Sequence, residues 1–141
     1  MEKSHRDRIL QYAEKKYGTF PEYLWDKFPS YAILRHKDNK KWYAAVLNIS
    51  KDKLGLVKED KIDILNIKLE PALVDFLVDN KSYFPGYHMN KKNWITIILD
   101  GSVSDEEIFK LLDLSFNITK SKSKKAGGSA KTSHIKSNID F

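Results

Sequence analysis

The 141-residue chain has no cysteine. That removes disulfides, thiolate metal ligands and a cysteine nucleophile together. A chain without thiols suits a reducing compartment, so a cytoplasmic protein is expected. Glycine and proline are sparse, at six and four residues. Neither GxGxxG nor GxxxxGK[ST] occurs, so no phosphate-cradling loop is present. Residues 1–8 lead into no apolar signal core, and no run approaches the roughly 18 apolar residues of a membrane span. His5, His36, His88 and His134 are scattered, without HxH or HxxxH spacing. No metal site and no cofactor are therefore expected. The acidic residues show no paired spacing, and no nucleophile elbow exists, so no catalytic residue is assigned and a non-enzymatic protein is expected.

What the chain does contain is 41% hydrophobic residues, 12% of the chain being aromatic. That is enough for the core of one domain. The net charge of +6 is unevenly placed. From Ile118 onward there are six lysines and one acid, while the other 117 residues carry 19 basic and 18 acidic side chains. The globular part is nearly neutral, so a basic patch on it requires charge segregation. The division expected is a domain over residues 1–118 and a tail over 119–141. The tail's Lys, Ser and Gly composition buries too little apolar area to offset chain entropy, which predicts a disordered basic segment.

Apolar spacing predicts a helix over residues 4–17, with Ile9, Tyr12, Ala13, Lys16 and Tyr17 on one stripe and Gly18 as its stop. An aromatic loop follows over 19–30. Residues 31–36 and 41–49 read as a hairpin across the turn 37–40, the second strand being central. A third strand is predicted over 61–68. Pro71 opens a short helix whose inward stripe is Leu73, Phe76 and Leu77. Pro85-Gly86 reads as a turn with glycine supplying positive φ, and a strand follows over 94–99. Ser104 to Glu107 is a capping box, with Glu107 reaching back to the cap, ahead of the stripe Ile108, Leu111, Leu112, Ser115, Phe116. This order predicts a two-layer α+β domain with a mainly antiparallel sheet and helices packed on one face.

The segment Pro85-Gly86-Tyr87-His88-Met89-Asn90-Lys91-Lys92-Asn93-Trp94 combines a turn, aromatics, a histidine and two lysines before an apolar strand. With Arg35-His36-Lys37-Asp38-Asn39-Lys40-Lys41-Trp42-Tyr43 and the run from Asp105 to Phe116, it resembles the MmcQ/YjbR family over roughly residues 4–118. Asn93 stands where that family usually has a second histidine. The resemblance implies a CyaY-like (frataxin-like) α+β fold, also related to secretion-chaperone-like arrangements. It further implies a bacterial protein of a family usually labelled as DNA-binding.

Basic and aromatic residues interleaved on two segments suit phosphate contact with aromatic orientation. The nucleic-acid-binding residues expected are Arg35, Lys40, Lys41, Tyr87, His88, Asn90, Lys91, Lys92 and Trp94. Lys91 and Lys92, if extended, point to opposite faces. Structural roles compete at several of these positions: turn formation at Pro85 and Gly86, core packing at Trp94, hydrogen bonding at His88. The leading partner is DNA, held by nonspecific phosphate contacts. The alternatives are an adaptor that docks an acidic protein or peptide, and a small-molecule pocket or enzyme around His88.

Overall fold

The computed structural model describes residues 3–121. Helix α1 spans His5–Tyr17, with the Ser4 hydroxyl accepting from the Asp7 amide. Gly18 ends it at φ 70°, and the Thr19 amide returns to the Ala13 carbonyl. Strands β1 (Ala32–Arg35) and β2 (Trp42–Ser50) form the hairpin, and a 3-10 turn at Lys51–Leu54 leads towards β3 (Lys61–Lys68). Helix α2 (Pro71–Leu77), β4 (Tyr83–Pro85), β5 (Trp94–Ile98) and α3 (Asp105–Thr119) complete the order. The five strands lie in the order β1-β2-β3-β5-β4, every neighbouring pair antiparallel. This is the expected α+β architecture.

The two faces of the sheet are covered differently. Ala32, Leu34, Val46, Leu65, Ile67, Ile95 and Ile97 point towards α1, α2 and α3. Their alternates Ile33, Ala45, Leu47 and Ile64 point the other way, under Trp25, Tyr31, Trp42, Leu54 and Tyr87. Helices cover one face, and the aromatic loop with the 86–90 segment covers the other. α1 is held to α3 by stacked rings, Tyr12 on Phe109 at 4.1 Å and Tyr17 on Phe116 at 4.0 Å. The Asp113 carboxylate joins that seam, accepting from the hydroxyls of Tyr12 and Tyr17 and from Lys16 Nζ.

Several local expectations change. Phe76 is 83% exposed, and Val74 takes the buried place on α2. Seven residues make only two turns, so the stripe is set by whichever side chain faces the sheet. Residues 83–85 form an edge strand that takes in Pro85 of the expected Pro85-Gly86 turn. Pro85 is tolerated there because an edge strand leaves one row of amides unpaired. The Ser104 hydroxyl accepts from the Glu107 amide as predicted, but the Glu107 carboxylate accepts the Tyr83 hydroxyl at 2.6 Å, tying α3 to β4. α3 runs through Thr119, which is buried. The rest of the expected tail, from residue 122, lies outside the described residues.

Candidate nucleic-acid interface

Antiparallel pairing brings five strand ends to one edge of the sheet. The ends of β1, β3 and β4 meet the beginnings of β2 and β5 there. The two segments singled out in the sequence therefore sit at the same end of the molecule, the 36–41 turn at one side and the 86–93 segment at the other. Between them stands Lys68, paired with Trp94 across β3 and β5.

The hairpin turn is fixed rather than free. Asn39 Nδ2 donates to the Thr119 carbonyl at 2.9 Å, and the Ser121 hydroxyl donates to Asp38 at 2.7 Å. The serine hydroxyl and the Asn39 amide hold the Asp38 carboxyl below its ordinary pKa. Lys40 takes φ 63°, closing the turn with its amide on the His36 carbonyl. A bulge sharpens the geometry: Leu34 faces Ala44 while Arg35 faces Trp42, leaving Tyr43 as the extra residue. Tyr43 packs on the helical side, and Trp42 joins the opposite face, the re-aiming that a bulge provides.

His36 is only 6% exposed, its ring against Tyr43 and Phe116. The Thr119 hydroxyl donates to the Ser115 carbonyl, so it accepts from His36 Nε2 at 2.9 Å. Burial pushes the His36 pKa below its ordinary value. The unfolded chain then takes up a proton more readily than the folded one. Stability is full above about pH 6.5, the unfolded value, and falls as pH drops through it until the folded pKa is passed. Urea unfolding between pH 7.5 and 5.5 should show that decline in the parent protein and a shallower one in His36→Gln. Equal slopes would place the pH dependence elsewhere.

The 86–93 segment is equally built. Asn66, fully buried, donates from Nδ2 to the Tyr87 carbonyl at 3.0 Å, while its Oδ1 accepts the Thr96 hydroxyl. The Tyr87 amide donates to that same Thr96 oxygen at 2.8 Å. This knot lays the Tyr87 ring on the non-helical face, where burial raises the phenol's pKa. Gly86 does not adopt positive φ, contrary to expectation. A Cβ on it would stand 2.8 Å from the Trp94 Cβ and 2.9 Å from the Trp94 carbonyl oxygen, so the position requires glycine for close approach. Positive φ falls on His88, at 59°, an exposed residue whose ring lies 4.1 Å from that of Tyr87.

Of the expected binding residues, four serve the fold. Arg35 makes a two-pronged pair with Glu22, at 2.9 and 2.8 Å. Lys91 and Lys92 lie in a turn and not in a strand, and Lys91 Nζ donates to the Gly86 carbonyl at 2.8 Å. Asn90 Oδ1 accepts from the Lys92 amide, an Asx turn. Trp94 is buried at 4% exposure. Lys40, Lys41, Lys91, Lys92 and His88 are exposed.

The residue that sequence reasoning missed is Lys68. It is half-buried, and its pKa is lowered, first by burial and then by the Lys41 charge, with Glu70 opposing the shift. Among the described residues, the ion pairs involve none of Lys37, Lys40, Lys41, Lys68 and Lys92. A signal was present: Ile62, Ile64, Asn66 and Lys68 alternate on one face, so the last two are polar residues at inward positions. The 90–93 turn docks on this strand end, the Leu69 amide donating to the Asn93 carbonyl at 2.8 Å. Lys41, Lys68 and Lys92 thus sit on successive strand ends. The far end of the sheet is mixed in charge: Asp79, Asp100, Asp105, Glu106 and Glu107 stand there with Lys51, Lys53, Lys58, Lys61 and Lys81, and Arg6 and Arg8 pair with Asp63 and Asp105.

The fold is a small α+β domain with a row of lysines, Lys41, Lys68 and Lys92, along one sheet end. The chain matches the YjbR family model over residues 14–118 and belongs to that family. It is 45% identical over 115 residues to the uncharacterized protein YyaQ of Bacillus subtilis (strain 168), covering 82% of this chain and 98% of that one. It is 32% identical over 77 residues to the uncharacterized protein YjbR of Escherichia coli (strain K12), covering 53% and 65% of the two chains. A crystal structure of a Pseudomonas syringae protein, 42% identical, superposes with a TM-score of 0.79 over 82% of this chain and 98% of that one. No helix among the described residues is long and apolar enough to cross a membrane.

Proposed function

We propose that the protein binds DNA through the lysine row at one end of its sheet, by contact with phosphates and without chemistry. One observation carries this reading: Lys41, Lys68 and Lys92 stand on neighbouring strand ends, and among the described residues no ion pair involves any of them. Ammonium groups on neighbouring strand ends repel one another, and an anion shared between them relieves that repulsion. The fixed hairpin turn adds Lys37 and Lys40.

Phosphate contact releases counterions, so affinity must fall with salt. Anisotropy with a labelled 20-base-pair duplex should show that fall in the parent protein. The triple variant Lys41→Gln, Lys68→Gln, Lys92→Gln should bind about tenfold or more weaker near 0.1 M salt, with a salt slope smaller by roughly one per lysine lost. Affinity that ignores both salt and the triple substitution would sink the proposal.

A further inference from the structure

The loop over 19–30 exposes more apolar surface than any fold requirement explains: Phe20 is 61% exposed, and Tyr23, Leu24 and Phe28 are each at least 46% exposed. Glu22 bridges to Ile33 by two backbone hydrogen bonds of 2.9 Å, so this loop runs along the free edge of β1. Its ion pair with Arg35 then braces the loop against the strand from the side-chain side. Between this braced segment and the hairpin turn lies a cavity of about 280 Å³, with Phe20 and Pro21 on one wall and Lys37 and Lys40 on the other. An aromatic ring and two ammonium groups facing one space make an unusual pair of walls. The ring offers a stacking face, and the lysines offer phosphate contacts.

We infer that this cavity receives an unpaired nucleobase, stacked on Phe20, with Lys37 and Lys40 on the flanking phosphates, so that the preferred ligand is single-stranded nucleic acid. This rests on the DNA-binding reading above and narrows it. A paired base within a duplex presents no open ring face, whereas every unpaired base does. The cavity volume suits one base and its sugar rather than a helical groove. Glu22 and Arg35 also line it, their charged groups already paired with each other. Stacking on an aromatic is worth ~1–3 kcal/mol per base, or roughly five- to 150-fold in affinity.

The test compares a labelled dT12 strand with a 20-base-pair duplex on the full chain. The strand is expected to bind at least tenfold tighter. Phe20→Ala should weaken strand binding about tenfold and leave duplex binding unchanged. Because Phe20 is mostly exposed, the variant should melt with the parent, which a thermal scan checks. A strand no tighter than the duplex, or a Phe20→Ala effect that is absent or equal on both, overturns the inference. Duplex binding that still depends on Lys41 and Lys68 would then leave the DNA-binding reading standing, whereas no binding to either ligand defeats both. A poly-glutamate peptide that displaces dT12 at equal concentration would also overturn the inference, assigning the cavity to an acidic protein partner.

Discussion

Gly86→Ala is expected to lose about 3 kcal/mol of stability, and Gly86→Val more, although neither substitution touches a charged or polar side chain. The Cβ of any residue at 86 meets the Trp94 Cβ and carbonyl at under 3 Å. Those atoms belong to β5, which pairs with β3 on one side and β4 on the other, so they cannot step aside. The Gly86 amide also donates to the Trp94 carbonyl at 3.2 Å, and any shift lengthens that bond. Gly18→Ala is the control. Gly18 has positive φ but open space around it, so alanine there carries only the left-handed backbone cost of about 1–2 kcal/mol. Thermal unfolding should therefore drop Gly86→Ala by roughly 12 °C, taking about 4 °C per kcal/mol, and Gly18→Ala by about half that. Equal shifts for the two would mean that the 86–94 contact yields easily.

Asn66→Leu should cost a similar amount by a different route. The fold loses the donor to the Tyr87 carbonyl and the acceptor for the Thr96 hydroxyl, both in a dry interior. Each orphaned group costs ~1–3 kcal/mol. The lost stability should be local as well as global: amide exchange across 86–90 should quicken more than across α3. Thr96→Val breaks the same knot from the other side, so the two substitutions share one loss. The double variant should be less destabilised than the sum of the singles by ~1 kcal/mol. Strict additivity would show that the two side chains act independently.

Periodicity was enough to place α1, α3 and β3 in the sequence, because each carries a stripe longer than two turns or six residues and α1 and α3 also have a capping serine. It was not enough for β4. Three residues ending in proline give no alternation, and only β5 reveals them as a strand. Gly86 and His88 show a second limit. Glycine next to proline suggests a turn with positive φ, but the crowding that demands glycine comes from Trp94, eight residues on and across a strand pair. Positive φ then passes to His88, which sequence gives no reason to suspect. The residues expected to bind divide for a similar reason. Arg35 looks like a free cation in the sequence, and only the fold shows the glutamate that pairs with it, while Lys91 stays exposed with its ammonium donating to the Gly86 carbonyl. Lys68 is the converse, a lone lysine at the end of an apolar strand that antiparallel pairing sets beside Lys41.

Lys41, Lys68 and Lys92 stand at the ends of three neighbouring strands. Backbone hydrogen bonding sets the spacing of such strands at about 4.8 Å. The row is therefore a ruler and not a brush: the backbones that carry the three cations are placed before any ligand arrives. Docking on it orders side chains alone, and the entropy of arranging a loop is not lost on binding.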